Sequence, residues 1–118
     1  MKSLLVFVFI MFSTIAYSYG QGVRINWEDN QGRTFTISAP SGNFSYSMIQ
    51  GDNIGYDYSG KVNQVGSTYI SYDYSGKVNQ VGSVYISYDY SGKVNKVGNL
   101  YVSYDSSGRF TGTSGSVN

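Results

Sequence analysis

From Tyr56 onward the chain repeats itself every 16 residues: YDYSGKVNQVGSTYIS (56–71), YDYSGKVNQVGSVYIS (72–87), YDYSGKVNKVGNLYVS (88–103) and a diverged YDSSGRFTGTSGSVN (104–118). The first two copies differ only at Thr68 against Val84. Near-identical short units must use each position in the same local way, so whatever one unit folds into is multiplied along the chain.

Each unit holds two strand-like runs and two turns. KVNQV (61–65) and TYISYD (68–73) are rich in β-branched and aromatic residues, which suit a pleated ladder. Between them Gly66-Ser67, and in later units Gly82-Ser83 and Gly98-Asn99, place glycine first in a two-residue loop, the signature of a type II′ hairpin. The second reversal is Asp73-Tyr74-Ser75-Gly76. Aspartate accepts backbone hydrogen bonds at its start and glycine takes positive φ at its end. The turn-forming set is therefore Asp57, Gly60, Gly66, Asp73, Gly76, Gly82, Asp89, Gly92, Gly98, Asp105 and Gly108. Tight reversals at both ends of every unit predict antiparallel neighbours.

The period also constrains register. If Val65 faces Thr68 and Asp73 faces Gly76, equivalent residues return to the same face in every unit. A bulge pairing Asp73 with Lys77 would flip the faces at each step, so the unbulged register is expected. It places Val65, Thr68, Ile70 and Tyr72 on one face with Asn63 and Lys61. Val62 and Tyr69 fall on the other with Gln64, Ser71 and Asp73. Neither face is cleanly apolar, which predicts an all-β, antiparallel hairpin-repeat meander, mostly single-layer or curled. A β-solenoid with two strands per rung is the alternative of the same period.

Residues 21–55 also read as strands. VRINWE, RTFTIS and NFSYSMI alternate in polarity and are separated by the turn formers DNQG, PSG and QGDN. Trp27, Phe35, Ile37, Phe44 and Met48 are bulkier than anything in the repeats, so 21–55 is expected to cap an array spanning 56–111. Residues 112–118 read as a flexible C-terminal tail.

The start of the chain is different in kind. Lys2 precedes the apolar run LLVFVFIMFSTI, and small residues follow at signal-peptidase spacing. Residues 1–20 thus read as a secretory signal peptide cut after Ser18 or Gly20. The run is too short for a membrane span with its flanks, and none follows. The expected location is extracellular, or the periplasm or cell surface in a bacterium. Of eight basic residues only Lys2 lies in the leader, so the remainder balances its seven acidic residues. A neutral body with scattered charge lacks the electrostatic footprint of a nucleic-acid binder. The chain has no cysteine, so disulfides do not compensate for a small core, and stability must come from sheet pairing or association.

The phrase Tyr-Asp-x-x-Gly-Lys/Arg-Val, seen as YDYSGKV and varied to YDSSGRF, resembles the YD repeat of rearrangement-hotspot and teneurin-type proteins. The resemblance covers roughly 56–110 and implies hairpins in a long antiparallel sheet. The period here is shorter than that family's, and the chain is far too small for its enclosing shell, so the encapsulating role does not carry over.

Chemistry is sparse. Without histidine or cysteine, Ser/His, Cys/His and thiolate or imidazole metal sites are excluded. Glu28 beside Asp29 reads as a strand end and a turn opener. The recurring Asp57, Asp73, Asp89 and Asp105 offer one carboxylate per turn, which favours turn capping and pairing with Lys61, Lys77 and Lys93 over calcium binding. No enzyme activity, cofactor or metal is expected. Asn43-Phe44-Ser45 fits the N-glycosylation pattern. The conspicuous resource is tyrosine, with Tyr56, Tyr69, Tyr72, Tyr85, Tyr88, Tyr101 and Tyr104 as the candidate binding surface and Tyr58, Tyr74 and Tyr90 in the turns. Aromatic rows stack on sugars or bury against proteins. The sequence thus predicts an extracellular structural or interaction scaffold. Its partners would be another copy or another extracellular protein at a sheet edge. Polysaccharide on the tyrosine rows is the alternative, and ice or another lattice a weaker one.

Overall fold

The computed structural model describes residues 13–18 and 22–118. These residues form twelve strands and no helix. The strands are β1 (Ser13–Ser18), β2 (Gly22–Glu28), β3 (Thr34–Ala39), β4 (Phe44–Tyr46), β5 (Ile54–Tyr56), β6 (Val62–Val65), β7 (Thr68–Tyr72), β8 (Val78–Val81), β9 (Val84–Tyr88), β10 (Val94–Val97), β11 (Leu100–Tyr104) and β12 (Phe110–Ser114). They build two meanders, β1 to β4 and β5 to β12, each in chain order and antiparallel throughout. The fold is all-β and antiparallel as expected, without closure into a barrel, and the parallel solenoid is excluded.

The single-layer expectation is corrected. Alternation in β2 and β3 sends Val23, Ile25 and Trp27 to one face, directly opposite Ala39, Ile37 and Phe35, and all six are buried. The repeat sheet supplies the other half of the core through Val65, Ile70, Val81, Val84, Ile86, Val97, Leu100 and Val102. The molecule measures 43 × 41 × 20 Å, and its thin dimension suits two sheets stacked about 10 Å apart. Residues 21–55 therefore cover a face of the array rather than cap its end. The Val94 amide donates to the Pro40 carbonyl at 3.1 Å, linking the layers.

The expected register is also corrected, for a reason visible in each unit. Val65 faces Thr68 as predicted, with φ of +58° at Gly66 and no positive φ at Ser67, the type II′ combination. At the second turn, however, the Asp73 amide donates to the Lys77 carbonyl at 2.8 Å, so Asp73 faces Lys77 rather than Gly76. That one-residue slip is followed by another. Tyr72 faces Val78 while Ser71 faces Gln80, leaving Asn79 as a bulged residue. Asn63 and Asn95 repeat the bulge. Two odd shifts restore the parity that either alone would break. The bulge also returns Val62, Val78 and Val94 toward the core, so the inner face is apolar after all.

The C-terminal segment is corrected too. Phe110–Ser114 is the last strand, and Val117 is buried beside Gly98, its carbonyl accepting from the Asn99 amide. Within the expected leader the described part is Ser13–Ser18, which pairs with β2; the remainder lies outside the described residues. Asn43 is exposed in the β3–β4 turn.

Candidate functional site: the tyrosine surface

The turns position everything on this surface. In each, the aspartate Oδ1 accepts three bonds. For Asp73 these come from the Ser75 amide at 3.0 Å, the Ser75 hydroxyl at 2.8 Å and the Lys77 amide at 3.0 Å. The glycine three residues on has φ near +90°. Asp57, Asp89 and Asp105 repeat the arrangement. The Arg109 amide and then the Ser107 hydroxyl hold the Asp105 carboxyl down to about 2. Burial pushes Asp89 up, but the Lys93 amide, the Ser91 hydroxyl and the Lys93 ammonium outweigh it and hold it at about 2. These carboxylates are engaged as turn caps, and among the described residues no three His, Cys, Asp or Glu side chains cluster to hold a metal. Of the lysines expected to pair with them, Lys93 does so with Asp89 at 3.4 Å.

The structure divides the tyrosines into three groups. Tyr69, Tyr85 and Tyr101 alternate with the buried residues of their strands and project from the outer face, 63%, 62% and 52% exposed. They lie directly across from Gln64, Gln80 and Lys96, and the Lys96 ammonium stands 5.0 Å from the Tyr101 ring centre. The double slip makes them a diagonal rather than a straight column. Each step is about 10 Å across two strands and about 7 Å along them.

Tyr72, Tyr88 and Tyr104 leave the expected binding surface. They are half-buried against the core, and their hydroxyls donate to the carbonyls of Val62, Val78 and Val94. Lys61, Lys77 and Lys93 lie 5.2–5.3 Å from the ring centres. Burial, and then the nearby Asp73 and Asp89 charges respectively, push the Tyr88 and Tyr104 hydroxyls up to about 12. Tyr56, at the start of the array, is 62% exposed.

The third group was read from sequence as a row in the turns but was not placed in the candidate binding surface. Tyr58, Tyr74 and Tyr90 sit at the tips of the Asp turns and are fully exposed. The turn itself does not require them, since Ser106 occupies the same position in the last unit and Asn30 in a related turn near the N-terminus.

The turn near the N-terminus was read from DNQG, but its likeness to the repeat phrase and the role of Arg33 were missed. Asp29-Asn30-Gln31-Gly32-Arg33 follows the repeat's Asp-x-x-Gly-Lys/Arg phrase, and its backbone bonds are the same, with Gln31 in place of the serine whose hydroxyl adds a third bond. Here the basic residue turns inward. Arg33, 4% exposed, bonds Asp52 at 2.8 Å through two nitrogens and Asp29 at 2.9 Å. Asp29 also accepts from the Thr68 hydroxyl. Arg33 and then the Ile49 amide hold the Asp52 carboxyl at about 2 despite burial. This cluster clamps the β2–β3 turn to the 49–52 loop and to the first repeat hairpin. With both carboxylates engaged, it is a structural junction.

The class defined so far is a two-layer, antiparallel hairpin-repeat β protein with an aromatic outer face. Comparisons with protein-family models, curated proteins and solved structures gave no match.

Proposed function

We propose that the chain is a secreted, non-enzymatic interaction scaffold that presents its exposed tyrosines to an extracellular partner. One observation carries this reading. Tyr58, Tyr74 and Tyr90 recur at turn tips, in full contact with water, where the local fold accepts serine or asparagine equally. Exposed aromatic side chains concentrated in one region mark binding surfaces, because burying them gains apolar area at small entropic cost. Tyr69, Tyr85 and Tyr101 extend the same surface on a rigid sheet. The signal-peptide pattern supports secretion, and the absence of histidine and cysteine supports a role without covalent catalysis.

A polysaccharide is the second reading. It is favoured by tyrosine rings set among Ser71, Ser87, Gln64 and Gln80, a neutral mix of stacking and hydrogen-bonding groups. Retention on insoluble glucan, chitin and peptidoglycan tests it. Replacing Tyr69, Tyr85 and Tyr101 by alanine should cut retention roughly tenfold or more with an unchanged β-sheet spectrum, since each stacked ring contributes about 1 kcal/mol. Equal retention by the triple variant rejects the sugar reading. If the tip variant Tyr58→Ala/Tyr74→Ala/Tyr90→Ala also leaves capture of extracellular proteins unchanged, the tyrosine surface is not the interaction site.

A further inference from the structure

β1 lies within the segment expected to leave with the signal peptide, yet it supplies the outermost strand of the smaller sheet. It pairs with β2 over six positions, from Ser13 opposite Trp27 to Ser18 opposite Gly22. Cleavage after Ser18 or Gly20 removes that partner. It leaves the amides and carbonyls along one side of β2 unpaired, the condition under which a sheet edge recruits another strand. β2 cannot fray to escape this, because Val23, Ile25 and Trp27 are at most 3% exposed in the shared core. The other edges are blunted. β4 and β5 have three residues each, and β12 is interrupted by a bulge where Ser103 faces Gly112 but Tyr104 faces Phe110.

We propose that the mature chain forms a twofold dimer in which the vacated edge of β2 pairs antiparallel with β2 of a second copy. This rests on the reading of the chain as a secreted protein. The strand is self-complementary when the twofold axis passes through Asn26. Arg24 then faces Glu28 of the second copy, and Glu28 faces its Arg24. Both are exposed on the outer side of the sheet. On the inner side Ile25 faces Trp27, extending the core from one copy to the next. Opposite charges and large apolar residues directly across a ladder each stabilise the pairing, and a twofold axis makes every such contact occur twice. A continuous sheet then runs through both molecules with the tyrosine face of each repeat array left free.

The test uses the full chain expressed in a secreting host, with the product's N-terminus sequenced and its mass measured by light scattering. The expected product begins after Ser18 or Gly20 and is a dimer. Arg24→Glu alone and Glu28→Arg alone should each weaken dimerisation roughly tenfold, because each places like charges opposite one another twice. Mixing the two single variants should restore a heterodimer, and the double exchange should restore the homodimer. Because both side chains are exposed, the sheet spectrum of each variant should match the parent's. Retention of Ser13–Ser18 on the secreted product overturns the signal reading and with it the free edge. A correctly cut product that stays monomeric, or single variants that dimerise as well as the parent, overturns the dimer alone.

Discussion

Arg33 and Gly66 show how closely single residues are fitted at the junction between the sheets. A Cβ at Gly66 would stand 2.2 Å from an Arg33 guanidinium nitrogen and 2.6 Å from Asp52 Oδ1. At the equivalent Gly82, with the same φ of +58°, the nearest contact is the Thr68 methyl at 3.4 Å. Both positions resist alanine through backbone conformation, but only Gly66 also holds an ion cluster in place. Gly66→Ala should therefore cost about 2 kcal/mol more than Gly82→Ala in denaturant unfolding. Equal losses at the two sites would mean that the cluster contributes nothing to the joint. The sequence held a signal for this cluster, since DNQGR repeats the turn phrase of the array. That the same basic position points outward as Lys61 and inward as Arg33 depends on the 49–52 loop beside it, which no local pattern announces.

Among the elements, the five-residue Asp loop and the asparagine bulge act as a matched pair. The loop moves the register by one residue because Asp73 captures the Ser75 and Lys77 amides, and Asn79 moves it by one more. Asn79 and Asn95 carry buried Oδ1 atoms without a hydrogen-bond partner, so these oxygens do not hold the bulge in place. Deleting Asn79 leaves Val78, Gln80 and Val81 in regular alternation opposite Tyr72, Ser71 and Ile70. It should be tolerated at a cost of about 1 kcal/mol, mainly through disturbance of the bond from Tyr88 to the Val78 carbonyl. Deleting Ser71 from the regular strand β7 should cost clearly more, because Tyr72 then changes face and leaves the core boundary and its bond to the Val62 carbonyl. Thermal melts of the two deletions distinguish the outcomes, and equal damage would refute the bulge account. The hairpin turns and strand runs were legible in the sequence. The bulge was not, because it depends on a competition between two loop lengths that differ by one hydrogen-bonded residue.

At the scale of the whole molecule, the ionisable groups confine stability to a broad middle range of pH. The carboxyls of Asp52, Asp89 and Asp105 are held at about 2 against an ordinary 3.8. Their folded-state pKa lies below the unfolded one, so their contribution is complete above about 4 and is lost as pH falls toward 2. Tyr88 and Tyr104 are raised to about 12 from 10.0, so the folded form favours the neutral phenol. Their contribution is complete below 10 and is lost as pH rises toward 12. The melting temperature should be nearly level between these windows and fall in both. In Tyr88→Phe/Tyr104→Phe the alkaline fall should shrink while the acid fall remains. An alkaline fall of unchanged size would show that these hydroxyls are not buried against the core.

The sequence by itself determined the local events: where the chain reverses, which runs are strands, that neighbours are antiparallel, and that tyrosine dominates the surface. Each follows from a few adjacent residues, such as the glycine of a type II′ loop or the aspartate that caps its own turn. Only the tertiary structure decided that residues 21–55 lie across the repeat face as a second layer, because that choice reflects large apolar residues such as Trp27 and Phe35 meeting a sheet of small valines far along the chain. It likewise decided which tyrosines face water. Alternation within each strand already set Tyr72, Tyr88 and Tyr104 on the face opposite Tyr69, Tyr85 and Tyr101, but only the packed core half-buries the first three. A slip of two residues per unit, too small to read from the repeat, sets the other three on a diagonal outside it.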